Sequence, residues 1–287
     1  MPDLSGYAHS IWESIHLGTD ETGGAVAVNL AERNILVGGE PGGGKSSALQ
    51  LIAAHGALSL DCKLILIDGK RVELGLWRDC AEEFVGPSID DAIDVLKWLE
   101  KLIDERTDDL LSQKRRKITR RSGEDVYLVV LDEIAYFSAT VGTSAQQKEF
   151  NARNRDIVAR GRAPGIIPVE ATQRPSADIV PTSLRDLFGY RWAFRCSTEA
   201  SSDTILGHGW ADKGYCATEI DPKARGVGWL RAEDGIPKRA KAAFLTDSQI
   251  IDLADHAAQL RHHERANGNN ANDGPVVKLV RRGEGVA

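Results

Sequence analysis

The chain has 287 residues, 42% hydrophobic and 27% charged, so it can bury a full core as one large domain or two small ones. A formal net charge of −6 excludes a protein coated in positive charge, though not a local basic surface that holds nucleic acid. No apolar run approaches the roughly 20 residues of a membrane span, Met1 to Asp20 lacks a signal-peptide pattern, and Cys62, Cys80, Cys196 and Cys216 form no C-x-x-C pair; a soluble intracellular protein with reduced thiols is expected.

Residues 1–30 read as a lead-in. Asp20-Glu-Thr-Gly-Gly24 is turn chemistry and Ala25 to Val28 a short strand, so a small hairpin is expected there. Asn34 to Val37 is a short apolar run of the kind that forms a buried strand. Gly39-x-x-x-x-Gly44-Lys45-Ser46 follows, the pattern of a phosphate-binding loop. Ala48, Leu49, Leu51, Ile52 and Ala53 then mark the apolar side of a helix. Strand, glycine loop and helix in that order give the pattern its physical meaning. The glycines let the backbone curl with N–H groups inward, and the helix N-terminus adds partial positive charge. Gly39, Glu40, Pro41, Gly42, Gly43, Gly44, Lys45, Ser46 and Ser47 are the expected nucleotide-binding residues. Lys45 would reach the β- and γ-phosphates, and the Ser46 hydroxyl would ligate Mg²⁺.

Lys63 to Asp68 is a continuous apolar run ending in a carboxylate, as in a parallel strand covered on both sides. Ser88-Ile-Asp-Asp91 has the form of a capping box, and Ile89, Ala92, Ile93, Leu96, Leu99 and Ile103 keep helical spacing after it. Lys114 to Arg121 is the densest basic run. Tyr127 to Leu131 reads as a third strand, ending at Asp132 and Glu133. A helix is expected over Gln146 to Arg162, and a fourth strand over Ile166 to Thr172 despite Pro168. Tyr190 to Arg195 alternates with period two and suggests a fifth. Gly226 to Leu230 and Ala242 to Leu245 suggest short strands, and Ser248 to Arg261 a last helix. Strands separated by helical stretches imply an α/β fold, a mostly parallel sheet with helices on both faces. The core is expected over 31–265. Residues 266–287 form a polar tether and tail in which Val276 to Arg282 alternates; they are expected to be flexible, with addition to a neighbour as a strand the alternative.

An NTPase of this kind needs an acidic residue at the end of a neighbouring apolar strand. Val129 to Glu133 supplies it: Asp132 would hold Mg²⁺, and Glu133 would polarise the attacking water. No guanine-reading Asn-Lys-x-Asp segment is present, which favours ATP. Gln173, at the end of the fourth strand, is the candidate γ-phosphate sensor, with a strand-end turn forced by Pro175 as the alternative.

Several stretches fall in a common order. They are Gly38 to Ser47, Leu66 to Leu74, Val130 to Ile134, Arg160 to Ile166, Ala171-Thr-Gln-Arg-Pro175 and Asp203-Thr-Ile-Leu206. In that order they resemble the FtsK/SpoIIIE DNA-translocase family from about residue 30 to 250. Pro181 to Phe188 and Gly207 to Trp210 look most like the small conjugative-transfer branch of actinobacterial plasmids and integrative elements. The resemblance implies a RecA-like ATPase that assembles as a ring, a hexamer, and moves double-stranded DNA, working with a membrane-bound transfer partner. A related secretion motor for protein cargo, or a nucleotide-dependent assembly protein, is the alternative. Asp203 stands where many relatives carry arginine. A ring ATPase usually draws a cation from the neighbouring subunit, and Arg191, Arg162 and Arg160 are the candidates in that order. DNA contact is expected from Lys114 to Arg121 and from the arginine-rich stretch Arg153 to Arg195.

Overall fold

The computed structural model describes residues 9–232 and 235–266. The strands in chain order are β1 (Ile15–Asp20), β2 (Ala25–Val28), β3 (Ile35–Gly38), β4 (Cys62–Ile67) and β5 (Glu83–Val85). They continue with β6 (Val126–Leu131), β7 (Ile166–Thr172), β8 (Tyr190–Phe194), β9 (Val227–Arg231) and β10 (Lys238–Ala242). All belong to one sheet in the order β2-β1-β10-β9-β8-β3-β7-β6-β4-β5. From β8 to β5 every pairing is parallel, and from β8 to β2 every pairing is antiparallel.

The apolar runs found their places because a parallel strand covered on both faces is apolar throughout. Residues of β3, β4, β7 and β8 are buried along their whole length. One face is covered by α1 (Lys45–Leu58), and the other by α2 (Ile89–Ser112) and α3 (Ser144–Arg160). The short α4 (Thr182–Arg185) and α5 (Glu199–Leu206) lie with α2 and α3, while α6 (Asp247–Ala266) joins α1. Ser88 Oγ accepts from the Asp91 N–H at 3.2 Å, which caps α2. The two-way box predicted there forms instead at α3, between Thr143 and Gln146, so that helix begins two residues earlier than its periodicity suggests. Arg261 fastens α6 to the sheet: its guanidinium donates to the carbonyls of Gly56, Ala57, Ser59 and Cys62 at 2.7–3.1 Å. Among the described residues no helix is long and apolar enough to cross a membrane.

Three features differ from the sequence reading. The last strand lies at Lys238–Ala242 rather than Ala242–Leu245. Its alternation of charge with Ala240 and Ala242 carries little apolar signal, and pairing with β1 and β9 decides its position. The N-terminal hairpin is part of the sheet, since Gly18, Thr19 and Asp20 pair with β10, so the sheet crosses the boundary expected at residue 30. The period-two pattern of β8 separates two covered faces: Tyr190, Trp192 and Phe194 pack with α1, and Ala193 with the opposite cluster. The alternating tail at Val276 to Arg282 lies outside the described residues.

Glu170 stands in the central strand β7 with its carboxyl wholly buried. Asn154 on α3 is its polar neighbour, and neither carboxyl oxygen has a hydrogen-bond partner of ordinary geometry. Burial pushes this group up from 4.5 to about 8. The folded chain therefore keeps a proton that the unfolded chain releases, and stability falls as pH rises from about 4.5 to about 8. The fall is at most about 1.4 kcal/mol per pH unit. Glu170→Gln is expected to flatten this dependence in urea unfolding curves taken across that range. An unchanged slope in the variant contradicts the assignment.

Candidate nucleotide site

The glycine loop runs from β3 into α1 and is stitched to three other strand ends. Gly39 N donates to Thr172 O at 3.2 Å, Glu40 N to Arg195 O at 2.9 Å, and Gly226 N to Gly43 O at 2.9 Å. The Arg195 guanidinium also pairs with the Glu40 carboxylate at 2.6 Å. At Gly44 only glycine fits. Its φ is +130°, and a Cβ there would stand 2.6 Å from Gly226 Cα and 2.8 Å from the Phe194 ring. No side chain caps the first turn of α1 and no acidic residue stands in it, so its N–H groups are left for an anion.

Below the loop, Lys45, Asp132 and Glu133 are only 3%, 1% and 7% exposed. Lys45 Nζ donates to the Asp132 carboxylate and, at 3.1 Å, to its backbone carbonyl. The other carboxylate oxygen, Asp132 Oδ2, is buried without a hydrogen-bond partner. An orphaned oxygen of the carboxylate held by the lysine that precedes Ser46, together with the Ser46 hydroxyl, is the kind of oxygen donor set that a hard divalent cation takes, so these residues fit Mg²⁺.

Glu133 is held by the end of β7. Thr172 Oγ1 donates to its Oε1 at 2.8 Å, and the Gln173 N–H donates to its Oε2 at 2.9 Å. The sheet order explains this convergence: β7 lies between β3, which carries the loop, and β6, which carries the acids. A cavity of about 400 Å³ is lined by Glu40, Pro41, Gly42, Gly44, Lys45, Ser46 and Ser47 of the loop and by Gln173. The loop and the sensor candidate therefore face one space.

Thr172, Arg225, Lys241 and Phe244 complete the surroundings and were not singled out from sequence. Thr172 lies inside the Ala171–Pro175 segment, where the polar residue just before Gln173 was a usable signal. The other three reach the loop only through the antiparallel strands, which no local pattern announces.

Arg191 stands apart from this cavity. It is buried in β8. Its guanidinium donates to the carbonyls of Phe188 and Leu206 at 3.3 and 3.4 Å and lies 3.3 Å from the Asp186 carboxylate. Burial, with Arg231 nearby, lowers its pKa to about 10. Arg160 and Arg162 are exposed at the end of α3, where Arg160 pairs with Asp104 and Asp156. They share a second cleft, of about 380 Å³, with Arg116 and Lys117 of the basic run. Within that run Lys117 pairs with Glu32 at 2.7 Å, Arg115 with Glu124 at 2.7 Å and Arg120 with Glu13 at 3.7 Å. Asp203 has a local use: its carboxylate accepts from the N–H groups of Gly209 and Ala211 at 2.6 and 2.9 Å and fixes the turn after α5.

A parallel sheet with the glycine loop on one strand and two carboxylates on the next strand but one defines a RecA-like P-loop NTPase. Residues 12–205 match the FtsK/SpoIIIE family model, and the chain belongs to that family. It is 29% identical over 288 residues to the DNA translocase FtsK of Tropheryma whipplei, covering 88% of this chain and 37% of that protein. It is 27% identical over 267 residues to the DNA translocase FtsK of Staphylococcus aureus, covering 85% and 32%. The chain thus spans about a third of the length of these relatives. Among solved structures, the pCW3 conjugation coupling protein TcpA, a monomer with ATPγS, aligns with a TM-score of 0.74 at 20% identity, covering 91% of this chain and 74% of that one. The cytoplasmic domain of the Thermomonospora curvata type VII secretion ATPase EccC aligns at 0.70 and 20% identity, covering 90% and 32%. At these identities the structures share the fold.

The hydroxyl of Thr172 is the side-chain group that orients Glu133. Thr172→Val keeps the volume and removes the donor, and is expected to lower kcat for ATP by about ten-fold or more while KM stays within about two-fold. Steady-state kinetics checks this. A variant with unchanged kcat contradicts the role.

Proposed function

We propose that the chain is an ATPase that couples hydrolysis to movement of double-stranded DNA. The observation that carries the reading is the buried Glu133 carboxylate, fixed by β7 beside the Lys45–Asp132 contact and under the glycine loop. Lys45 and the loop N–H groups bind the phosphates. Ser46 and Asp132 would hold Mg²⁺, which when bound neutralises charge on the phosphates. Glu133 orients a water and accepts its proton, and Gln173, facing the same cavity, contacts the γ-phosphate. For Lys45 to reach phosphate it must release Asp132, so nucleotide entry and metal binding act on the same contact.

Membership of the family supports DNA as the substrate, with relatives described as DNA translocases. The cleft that joins Arg116 and Lys117 to Arg160 and Arg162 supplies a basic surface for the phosphate backbone, despite the net negative charge. The cation offered to a neighbouring subunit comes from Arg191, Arg162 or Arg160. A ring, a hexamer, is the assembly this reading requires. The likeness of Pro181–Phe188 and Gly207–Trp210 to the conjugative branch supports plasmid or integrative-element DNA as the cargo, handed on with a membrane-bound transfer partner.

The test is the ATPase rate with and without duplex DNA. DNA is expected to raise the rate about ten-fold or more, and the double variant Arg116→Ala/Lys117→Ala to lose most of that stimulation at moderate salt. A rate indifferent to DNA overturns the reading and favours a protein-secretion motor or an assembly factor.

A further inference from the structure

The cavity over the glycine loop does not end at the loop. It continues past Gly226 to Arg225, Lys241 and Phe244. Phe244 is 73% exposed, a large aromatic side chain in water beside a polar cradle. Its place on the wall of the cradle, and not its exposure alone, is what singles it out. Its position relative to the loop is fixed by backbone bonds. Gly226 N donates to Gly43 O at 2.9 Å, Ala242 N to Gly226 O at 2.8 Å, and Ala243 N to Leu17 O of β1 at 2.9 Å. The segment that carries Phe244 is thus tied at one end to the loop and at the other to the sheet.

Arg225 and Lys241 are exposed cations on the same wall. Among the described residues neither has an acidic side chain in salt-bridge range. A space lined by an anion cradle, an open aromatic face and two cations without an acidic partner matches a nucleoside polyphosphate. About 400 Å³ lies in the range of pockets that take ligands of that size. We infer that Phe244 is the base platform of this site: the purine of the bound nucleotide stacks on its ring, with Arg225 and Lys241 beside the sugar and the first phosphate. Stacking tolerates any base because every base has a π-face, so this subsite adds affinity and selects nucleotide over bare polyphosphate.

The inference rests on the nucleotide reading of the loop, and the test separates the two. Binding of ATP and of inorganic tripolyphosphate, each with Mg²⁺, is measured by calorimetry on the full chain, on Phe244→Ala and on Phe244→Trp. Phe244→Ala is expected to bind ATP about ten-fold more weakly and tripolyphosphate within about two-fold of the wild-type chain. Phe244→Trp is expected to keep ATP affinity and to show quenching by ATP, beyond that of the wild-type chain, that tripolyphosphate does not produce. Equal ATP affinity in the wild-type chain and Phe244→Ala, with no added quenching in Phe244→Trp, overturns the platform and leaves the loop reading intact. If Phe244→Ala instead changes only the oligomeric state in light scattering, the ring is a contact between copies and the inference fails. A wild-type chain that binds neither ligand removes the loop reading itself.

Discussion

The contact between Lys45 and Asp132 holds the site together, and it is costly to keep. Both groups are almost wholly out of water, and a buried charge pair is stable only when its remaining hydrogen-bonding capacity is met. Here it is met in part: the lysine also reaches the Asp132 carbonyl, while Asp132 Oδ2 has no partner. The pair bridges two strand ends, since Lys45 opens α1 after the loop that follows β3 and Asp132 follows β6, with β7 between the two strands. Any ligand that draws the lysine upward frees a carboxylate at the same moment. The end of β7, through Thr172 and Gln173, is the segment that holds the Glu133 carboxylate beside this contact.

The antiparallel half of the sheet belongs to the same device. Gly226, just before β9, donates its N–H to Gly43 of the loop and accepts at its carbonyl from the N–H of Ala242 at the end of β10. Glycine is needed at Gly44, where a Cβ would stand 2.6 Å from Gly226 Cα, and Gly226 itself has a φ of +80°, which favours glycine. The strands from β8 outward therefore position the loop from the side while β7 and β6 position it from below. The N-terminal hairpin joins this wall through β1 and β10.

What was readable in the sequence follows from how each element is buried. Cys62–Ile67 and Val126–Leu131 announce themselves because a strand covered on both faces has few polar residues to confuse it. The glycine loop is readable because its backbone conformation restricts residue type at several consecutive positions. Lys238–Ala242 is not, since its apolar content is two alanines and its partners are far away in sequence. The surroundings of Arg191 were hidden for a related reason: carbonyls of Phe188 and Leu206 and the carboxylate of Asp186, which gather round it inside the fold, come from separate segments. Phe244 and Arg225 join the loop only through tertiary pairing, and no local spacing carries that information.

The central claim is that hydrolysis at Glu133 drives motion along DNA. Displacement of a third strand annealed to a duplex reports that motion directly. The wild-type chain is expected to displace the strand only when ATP and Mg²⁺ are present, and Glu133→Gln to leave it in place while still binding nucleotide. DNA-stimulated hydrolysis by the wild-type chain with the third strand undisturbed would contradict the account.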